Sequence, residues 1–189
     1  YRTPAGRGLK AKRLPLIWLT VTLLLACQSV TSHRLYQIGE QYVGEASKPG
    51  ATVRYIRDPI ERASMRLRVK NGLLVDAHNI PLDPQVDRHP KRDGFAVFVM
   101  DRKGDIYISF DHQQGRFHHS SILAGAAVRA AGDMTIIQGR LLALSNSSGH
   151  YKPDAACLDV TLARLSALGV DISQVKVTRI RPDGTRQPD

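Results

Sequence analysis

The sequence reads RFHHSSILAGAAVRAAGDMTIIQGRLLALSNSSGHY from residue 116 to residue 151. The stretch begins and ends with histidines and has small residues at 124–127. Apolar runs on both sides of Gly139 predict a β-hairpin over residues 133–145. The hairpin connects two histidine-bearing segments, and we therefore take this stretch as the predicted site.

The first of these segments has the composition of a short strand. Successive side chains of a strand face opposite sides, so His118 and His119 are not expected in one pocket together. Phe117 is the predicted core residue, which places His119 and Ser121 inside and turns His118 and Ser120 toward a cleft. If Phe117 lines the pocket instead, the assignment is reversed.

The second segment contains His150 and Tyr151 and is followed by a helix predicted to open at Pro153 and Asp154. Free N–H groups and the helix dipole favour an anion at such an end. We predict a pocket for an anionic or polyhydroxyl ligand, in which a protonated His150 strengthens anion binding at low pH. Its predicted lining is His118 or His119, Ser120, His150 and Tyr151. The alternative is structural, because histidines beside Gly and Ser often bond to loop backbone.

Three strings resemble the shared core of the plant IQ-motif calmodulin-binding proteins: FHHSSxLAG at 117–125, AAG at 130–132 and SGHYxP at 148–153. A similar core is expected in uncharacterised bacterial exported proteins. The resemblance covers residues 95–177, with Ile122 at a position expected to be Phe. The IQ motif itself is absent, because the Ile-Gln pair at residues 137–138 falls in the predicted hairpin and not in a basic helix. The resemblance implies a shared fold and pocket, supplies no established reaction, and leaves calmodulin not expected as a partner.

The remaining patterns predict an α+β fold. The apolar run at residues 95–100 predicts a buried strand, and alternation at 105–109 predicts its return. An Asn-Gly turn at residues 71–72 predicts another hairpin. Leucines recur at helical spacing in residues 154–168. We therefore predict a mainly antiparallel sheet of hairpins with a C-terminal amphipathic helix packed on one face.

The N-terminal segment has the order of a secretory signal. Five cations without an acidic residue precede an apolar run that ends at Ala26, and Leu-Leu-Ala-Cys resembles a bacterial lipoprotein box. We predict a lipoprotein-type signal peptide at 1–26, with Cys27 lipidated, a tether at 27–57 and a single domain at 58–189. This predicts a bacterial cell-envelope lipoprotein held to the membrane, or a secreted protein if Cys27 is not used. An uncleaved N-terminal membrane anchor is the alternative.

Charge and cysteine content narrow the classes of function. The 189 residues carry a net charge of +10, half of it in the predicted signal segment. The remainder contains no basic run with interleaved aromatic residues, so nucleic acid is not expected as a partner. Cys157 falls in a helical pattern and is predicted to be buried rather than nucleophilic.

Two classes of function remain. The first is an envelope-anchored or exported binding module, and the alternative is an enzyme, a hydrolase or transferase, that uses the same residues for acid–base or serine chemistry. A His-Tyr-Glu ADP-ribosyltransferase is disfavoured because Glu40, Glu45 and Glu61 all precede the predicted site. Asp111 and His112 could ligate a metal with His150, but no recognised ligand spacing occurs, so no metal site is predicted. No cofactor is assigned.

Overall fold

The computed structural model describes residues 34–83 and 93–187. It confirms the α+β fold class, with a mainly antiparallel sheet and a C-terminal helix. The predicted signal segment and the lipidation site at Cys27 lie outside the described residues. Among the described helices, none is long and apolar enough to cross a membrane.

Three α-helices, one 3-10 helix and seven strands make up the described residues. The helices are the 3-10 helix Glu40–Tyr42, α1 Pro59–Ser64, α2 His119–Ile122 and α3 Ala156–Ala167. The strands are β1 Arg68–Lys70, β2 Leu73–Val75, β3 Phe95–Met100, β4 Ile106–Ser109, β5 Ala130–Ile137, β6 Arg140–Ser145 and β7 Lys176–Thr178.

Five strands form the main sheet in the order β4-β3-β5-β6-β7. All neighbours are antiparallel except β6 and β7, which are parallel. Every residue of β3 is buried, as its continuous apolar sequence predicts. The β5–β6 hairpin turns at Gln138 and Gly139, whose φ angles of 49° and 73° match a two-residue turn.

Gly132 permits the close approach of β5 to the end of β6. A Cβ atom at this position would lie 1.9 Å from the backbone oxygen of Ser145. Only glycine can be accommodated at that distance. The small-residue sequence before the hairpin therefore serves backbone packing at this point.

The C-terminal helix α3 packs on β5. Leu158 and Leu165 are fully buried, whereas Leu162 is half-buried. The helix begins at Ala156, two residues after Asp154, whose carboxylate accepts a hydrogen bond from the Ala156 N–H at 3.1 Å. Gly169 follows the helix with a φ of 92°, a left-handed conformation that is typical of the residue after a helix end.

The described part of the predicted tether is packed on the domain. Tyr36 is buried and pairs with Val128. The Gly39 N–H donates to the His150 oxygen at 2.8 Å, and the Ile56 N–H donates to the Ser121 oxygen at 2.9 Å. Residues 34–57 therefore belong to the folded unit rather than to a loose lead-in.

The strand predicted at residues 117–121 is wrong. The chain forms the short helix α2 there, because the Ser121 hydroxyl oxygen accepts a hydrogen bond from the His118 N–H at 3.0 Å and fixes the first turn. Consecutive helical residues are about 100° apart rather than opposite one another. The separation of His118 from His119 expected of a strand is therefore lost.

Candidate functional site

Both histidines of α2 line one cavity of about 290 Å³. The loop before α2 contributes His112 and Gln114, and the loop after β6 contributes Ser147, Gly149 and His150. Tyr42, Phe95 and Asp133 complete the lining. The prediction that a single histidine of the pair faces the pocket is wrong, since the helix presents both.

Ring stacking holds the histidines in place. The His150 ring lies between Tyr42, at 4.0 Å between ring centroids, and His118, at 4.5 Å. His112 meets the edges of His118 and Phe95 at 5.8 Å each. Part of the cavity wall is therefore a continuous set of rings in contact with one another.

Glu45 joins three elements behind this set of rings. One carboxylate oxygen accepts a hydrogen bond from the Ser120 hydroxyl at 2.6 Å and from the Tyr55 hydroxyl at 3.1 Å. The other lies 3.1 Å from Nε2 of His150. The Glu45 side chain is only 11% exposed, so these bonds replace the water it gives up.

His119 is bound to the sheet. Its Nε2 lies 2.9 Å from the Gly132 oxygen, an acceptor, so this nitrogen carries the proton. The same nitrogen is 3.6 Å from the carboxylate of Asp133. The close strand approach at Gly132 therefore also fixes the orientation of a cavity histidine.

Burial makes the imidazoles of His118 and His150 poor bases. Loss of solvent, with the neighbouring His150 and His112 rings, lowers the pKa of His118 to about 4. Loss of solvent also lowers the pKa of His150, although Glu45 acts in the opposite direction. Burial together with Glu45 raises the pKa of Tyr55 to about 12. The rings of His118 and His150 are therefore neutral at neutral pH.

Two predicted site residues lie away from the cavity opening. Ser120 is fully buried and donates its hydroxyl to Glu45 rather than to a histidine. Tyr151 belongs to the hydrophobic core, and its hydroxyl donates to the Ala126 oxygen at 2.8 Å. Of the predicted set, the structure brings His118, His119 and His150 together in the cavity lining. Ser120 is linked to His150 only through Glu45.

The helix end predicted to hold an anion is already bonded within the protein. The Asp154 carboxylate accepts from the Tyr36 hydroxyl at 2.5 Å and from the guanidinium of Arg34. It also accepts from the first turn of α3. The positive end of the helix dipole is therefore used by a side chain of the protein.

Sequence reasoning missed Glu45, Tyr42 and Asp133. Glu45 precedes the predicted site in the sequence, yet its carboxylate contacts Ser120 and His150 across 75 and 105 residues. Contacts of that separation leave no local pattern in a sequence. Within the described ranges, no group of three or more His, Cys, Asp or Glu side chains is arranged to hold a metal ion.

Comparison with known families finds a match over the part of the chain that contains most of the cavity lining. Residues 61–158, more than half of the chain, match the family model described as IQ motif-containing protein middle domain. The chain belongs to this family. The resemblance inferred from the sequence is confirmed at that level, while its motif details and bacterial relatives stay predictions. No solved structure matches.

The matching relatives are Arabidopsis thaliana proteins. IQ domain-containing protein IQM3 is 38% identical over 93 residues, which are 49% of this chain and 20% of that protein. IQ domain-containing protein IQM4 is 30% identical over 118 residues, or 62% of this chain and 21% of that protein. The matched region thus spans about a fifth of the length of these relatives.

These relatives overturn the predicted envelope lipoprotein and the predicted absence of calmodulin as a partner. The bacterial cell-envelope lipoprotein, with its lipid anchor at Cys27 and its membrane or secreted location, is wrong because the relatives are plant IQ-domain proteins. The exclusion of calmodulin as a partner is wrong for the same reason. The absence of an IQ motif from the predicted site does not remove the chain from a family defined by its middle domain.

Proposed function

We propose that this domain is a binding module whose cavity takes a polyhydroxyl small molecule, with a sugar ring as the simplest example. The observation that carries the proposal is the convergence of four imidazoles on one cavity, beside Asp133 and between two aromatic rings. Membership of the family described as IQ motif-containing protein middle domain supports a binding role. The ligand class is argued from the cavity alone.

Neutral imidazoles suit hydroxyl groups. A neutral ring, such as that of His118 or His150, has one N–H donor and one nitrogen acceptor, and a hydroxyl group also donates and accepts. One ring nitrogen of His118, of His119 and of His150 is already bonded within the protein, so at most the other nitrogen of each ring can meet a hydroxyl group. The carboxylate of Asp133 adds a strong acceptor. Tyr42, which is half-buried and stacked on His150, offers apolar ring surface of the kind that packs on the C–H face of a sugar.

An anionic ligand is less well supported. The pKa of about 4 leaves His118 uncharged at neutral pH. Glu45 and Asp133 add negative charge beside the imidazoles. We therefore expect a protonated, anion-binding cavity only under acidic conditions, and give neutral polyols precedence.

Enzymatic use of Ser120 is also less well supported. A nucleophilic serine needs an adjacent base and access to substrate. The Ser120 hydroxyl donates to a carboxylate and is fully buried. Turnover of any bound sugar in the binding assay would nevertheless revive the enzyme alternative.

Thermal unfolding in the presence of candidate ligands tests the proposal. The panel contains glucose, galactose, mannose, xylose and myo-inositol, with phosphate, sulfate and citrate as anions. A ligand at ten times its Kd adds about 1.4 kcal/mol, which raises Tm by roughly 3–6 °C for a domain of this size. We expect a polyol to give this rise at neutral pH.

Matched histidine variants locate the effect. His112→Ala should abolish the rise in Tm, whereas His78→Ala should preserve it, because His78 is exposed in a turn outside the cavity. A response to anions alone at neutral pH, or an equal loss of response in both variants, would contradict the proposed ligand class and site.

Family membership favours a second candidate function, calmodulin binding. Residues 1–39 contain no acidic residue, and five cations precede an apolar run that includes Trp18. Calmodulin targets are helices that carry both basic and apolar residues, and this segment supplies the two kinds in succession. We propose residues 2–26 as the segment of this chain that would bind it.

Trp18 provides a direct assay because it is the single tryptophan of the chain. Addition of tryptophan-free, Ca²⁺-loaded calmodulin should move its emission to shorter wavelength, and EDTA should reverse the change. The double substitution Lys10→Glu and Lys12→Glu should weaken the response. An emission that stays constant up to micromolar calmodulin would exclude this candidate.

A further inference from the structure

A second cavity, of about 430 Å³, lies over one face of the main sheet. It adjoins the histidine cavity, because Phe95, Asp133 and Ser147 line both. The two spaces are therefore parts of one elongated cleft. Two adjoining cavities of about 430 and 290 Å³ offer more volume than a single small ring needs, since drug-sized ligands occupy pockets of about 300–1,000 Å³.

Hydroxyl side chains dominate the polar lining of the second cavity. Asp133 and Thr135 alternate with buried residues on β5 and so share one face. Ser145 is paired with Asp133 in the register and with Thr178 on the next strand. Arg186 adds donors at the same cavity.

We propose that the ligand is an oligosaccharide of at least two rings, with one ring in the histidine cavity and the next over the sheet face. This inference rests on the proposed polyol-binding function. Asp133 lines both spaces, so its carboxylate can accept hydrogen bonds from hydroxyl groups of both rings. Phe95, a buried residue of β3, lines the same junction.

An extended peptide fits the cleft less well. Peptides that bind to sheets pair with an open edge through backbone hydrogen bonds. Most of the strand residues that line the second cavity belong to β5 and β6, which are interior strands paired on both sides, and only Thr178 comes from the edge strand β7. A ligand here must use side chains, and the available side chains are hydroxyls, a carboxylate and a guanidinium.

A glycan array that carries homologous series from one to six sugar rings tests the inference. The best series is then titrated by calorimetry into the full chain. We expect at least about tenfold tighter binding for the two-ring or three-ring member than for the monosaccharide, as two or more added hydrogen bonds would give.

Two variants separate the halves of the cleft. Thr135→Val removes a hydroxyl and preserves side-chain shape, and Arg186→Ala removes the guanidinium. Each should weaken the oligosaccharide about 2-fold to 13-fold, the worth of one hydrogen bond, and leave the monosaccharide unchanged. Arg140→Ala, an exposed arginine at the hairpin end of β6, is the matched control.

The outcomes distinguish this inference from the function on which it rests. Equal affinity for one ring and for several would overturn the extended cleft and preserve the single-ring site. Binding to no saccharide on the array together with no rise in Tm from myo-inositol, or competition by an extended peptide at the same residues, would overturn both. Loss of long-ligand affinity in Arg140→Ala as large as in Arg186→Ala would also contradict the assignment.

Discussion

Two consecutive residues, His150 and Tyr151, belong to different regions of the molecule: the first to the histidine cavity and the second to the hydrophobic core. His150 lines the cavity and bonds to Glu45, whereas Tyr151 is 5% exposed and belongs to the core. Both rings follow the same Ser-Ser-Gly loop, so their sequence context is shared. The difference between them comes from partners far along the chain.

This difference separates two kinds of energetics. The core is held by apolar burial, where truncation leaves a void. The cavity is held by buried hydrogen bonds to Glu45 and Gly132, where truncation leaves a polar group without its partner. Substitutions in the core should therefore change stability, and substitutions at the cavity surface should change ligand response more than stability.

The largest effect is expected in the core. Leu165 is fully buried where α3 packs on the sheet, so Leu165→Ala should cost about 2–5 kcal/mol of unfolding free energy. Leu162 is half-buried and provides the control, with a smaller loss for Leu162→Ala. Urea unfolding followed by circular dichroism measures both. Equal losses would contradict the packing described for this helix.

The next effect is expected at Glu45. Glu45→Gln weakens the charge-assisted bonds from Ser120, Tyr55 and His150, and should cost about 1–3 kcal/mol together with the ligand response. Glu40→Gln, at an exposed glutamate, should stay within about 0.5 kcal/mol. If the two variants unfold at the same urea concentration, Glu45 does not organise the cavity wall.

A smaller effect is expected at Tyr151. Tyr151→Phe removes the bond to the Ala126 oxygen and retains the ring, so it should cost about 1 kcal/mol. The rise in Tm on ligand addition should persist, because this side chain faces the core. Loss of that rise with little loss of stability would return Tyr151 to the binding site.

A separate effect concerns pH. His118 has a pKa of about 4 in the folded protein and near 6.5 when unfolded, so the unfolded state binds more protons between these values. Stability should therefore fall as pH decreases from 6.5 toward 4, and the lowered pKa of His150 adds in the same direction. Tm measured across this window should fall less in His118→Gln than in the wild type or His78→Gln. Identical slopes would show that His118 is not protected from protonation.

Local patterns predicted the sheet and the C-terminal helix. The buried run of β3, the glycine turn of the β5–β6 hairpin and the leucine spacing of α3 each depend on neighbours in the sequence. The strand predicted at residues 117–121 was wrong because alternation over five residues also fits one helical turn. The hydrogen bond from the His118 N–H to the Ser121 hydroxyl oxygen stabilises the helix, and composition does not reveal this bond.

The site was predicted in part. Its histidines could be found because they cluster in the sequence, but their common orientation follows from α2. Glu45 could not be found, because it reaches the site through a segment without periodicity that was interpreted as a tether. Its contacts span 75 and 105 residues, and such pairings become visible only once the chain is folded.

Imidazole NMR spectra test the central claim most directly, since they report each histidine ring during addition of a sugar. A saturating mixture of the panel monosaccharides is added to ¹⁵N-histidine-labelled protein at neutral pH, with signals assigned by substitution. We predict shifts of the ring signals of His112, His118, His119 and His150, while His78 stays unchanged. Unchanged cavity signals, or a shift of His78 as large as theirs, would contradict the proposed site.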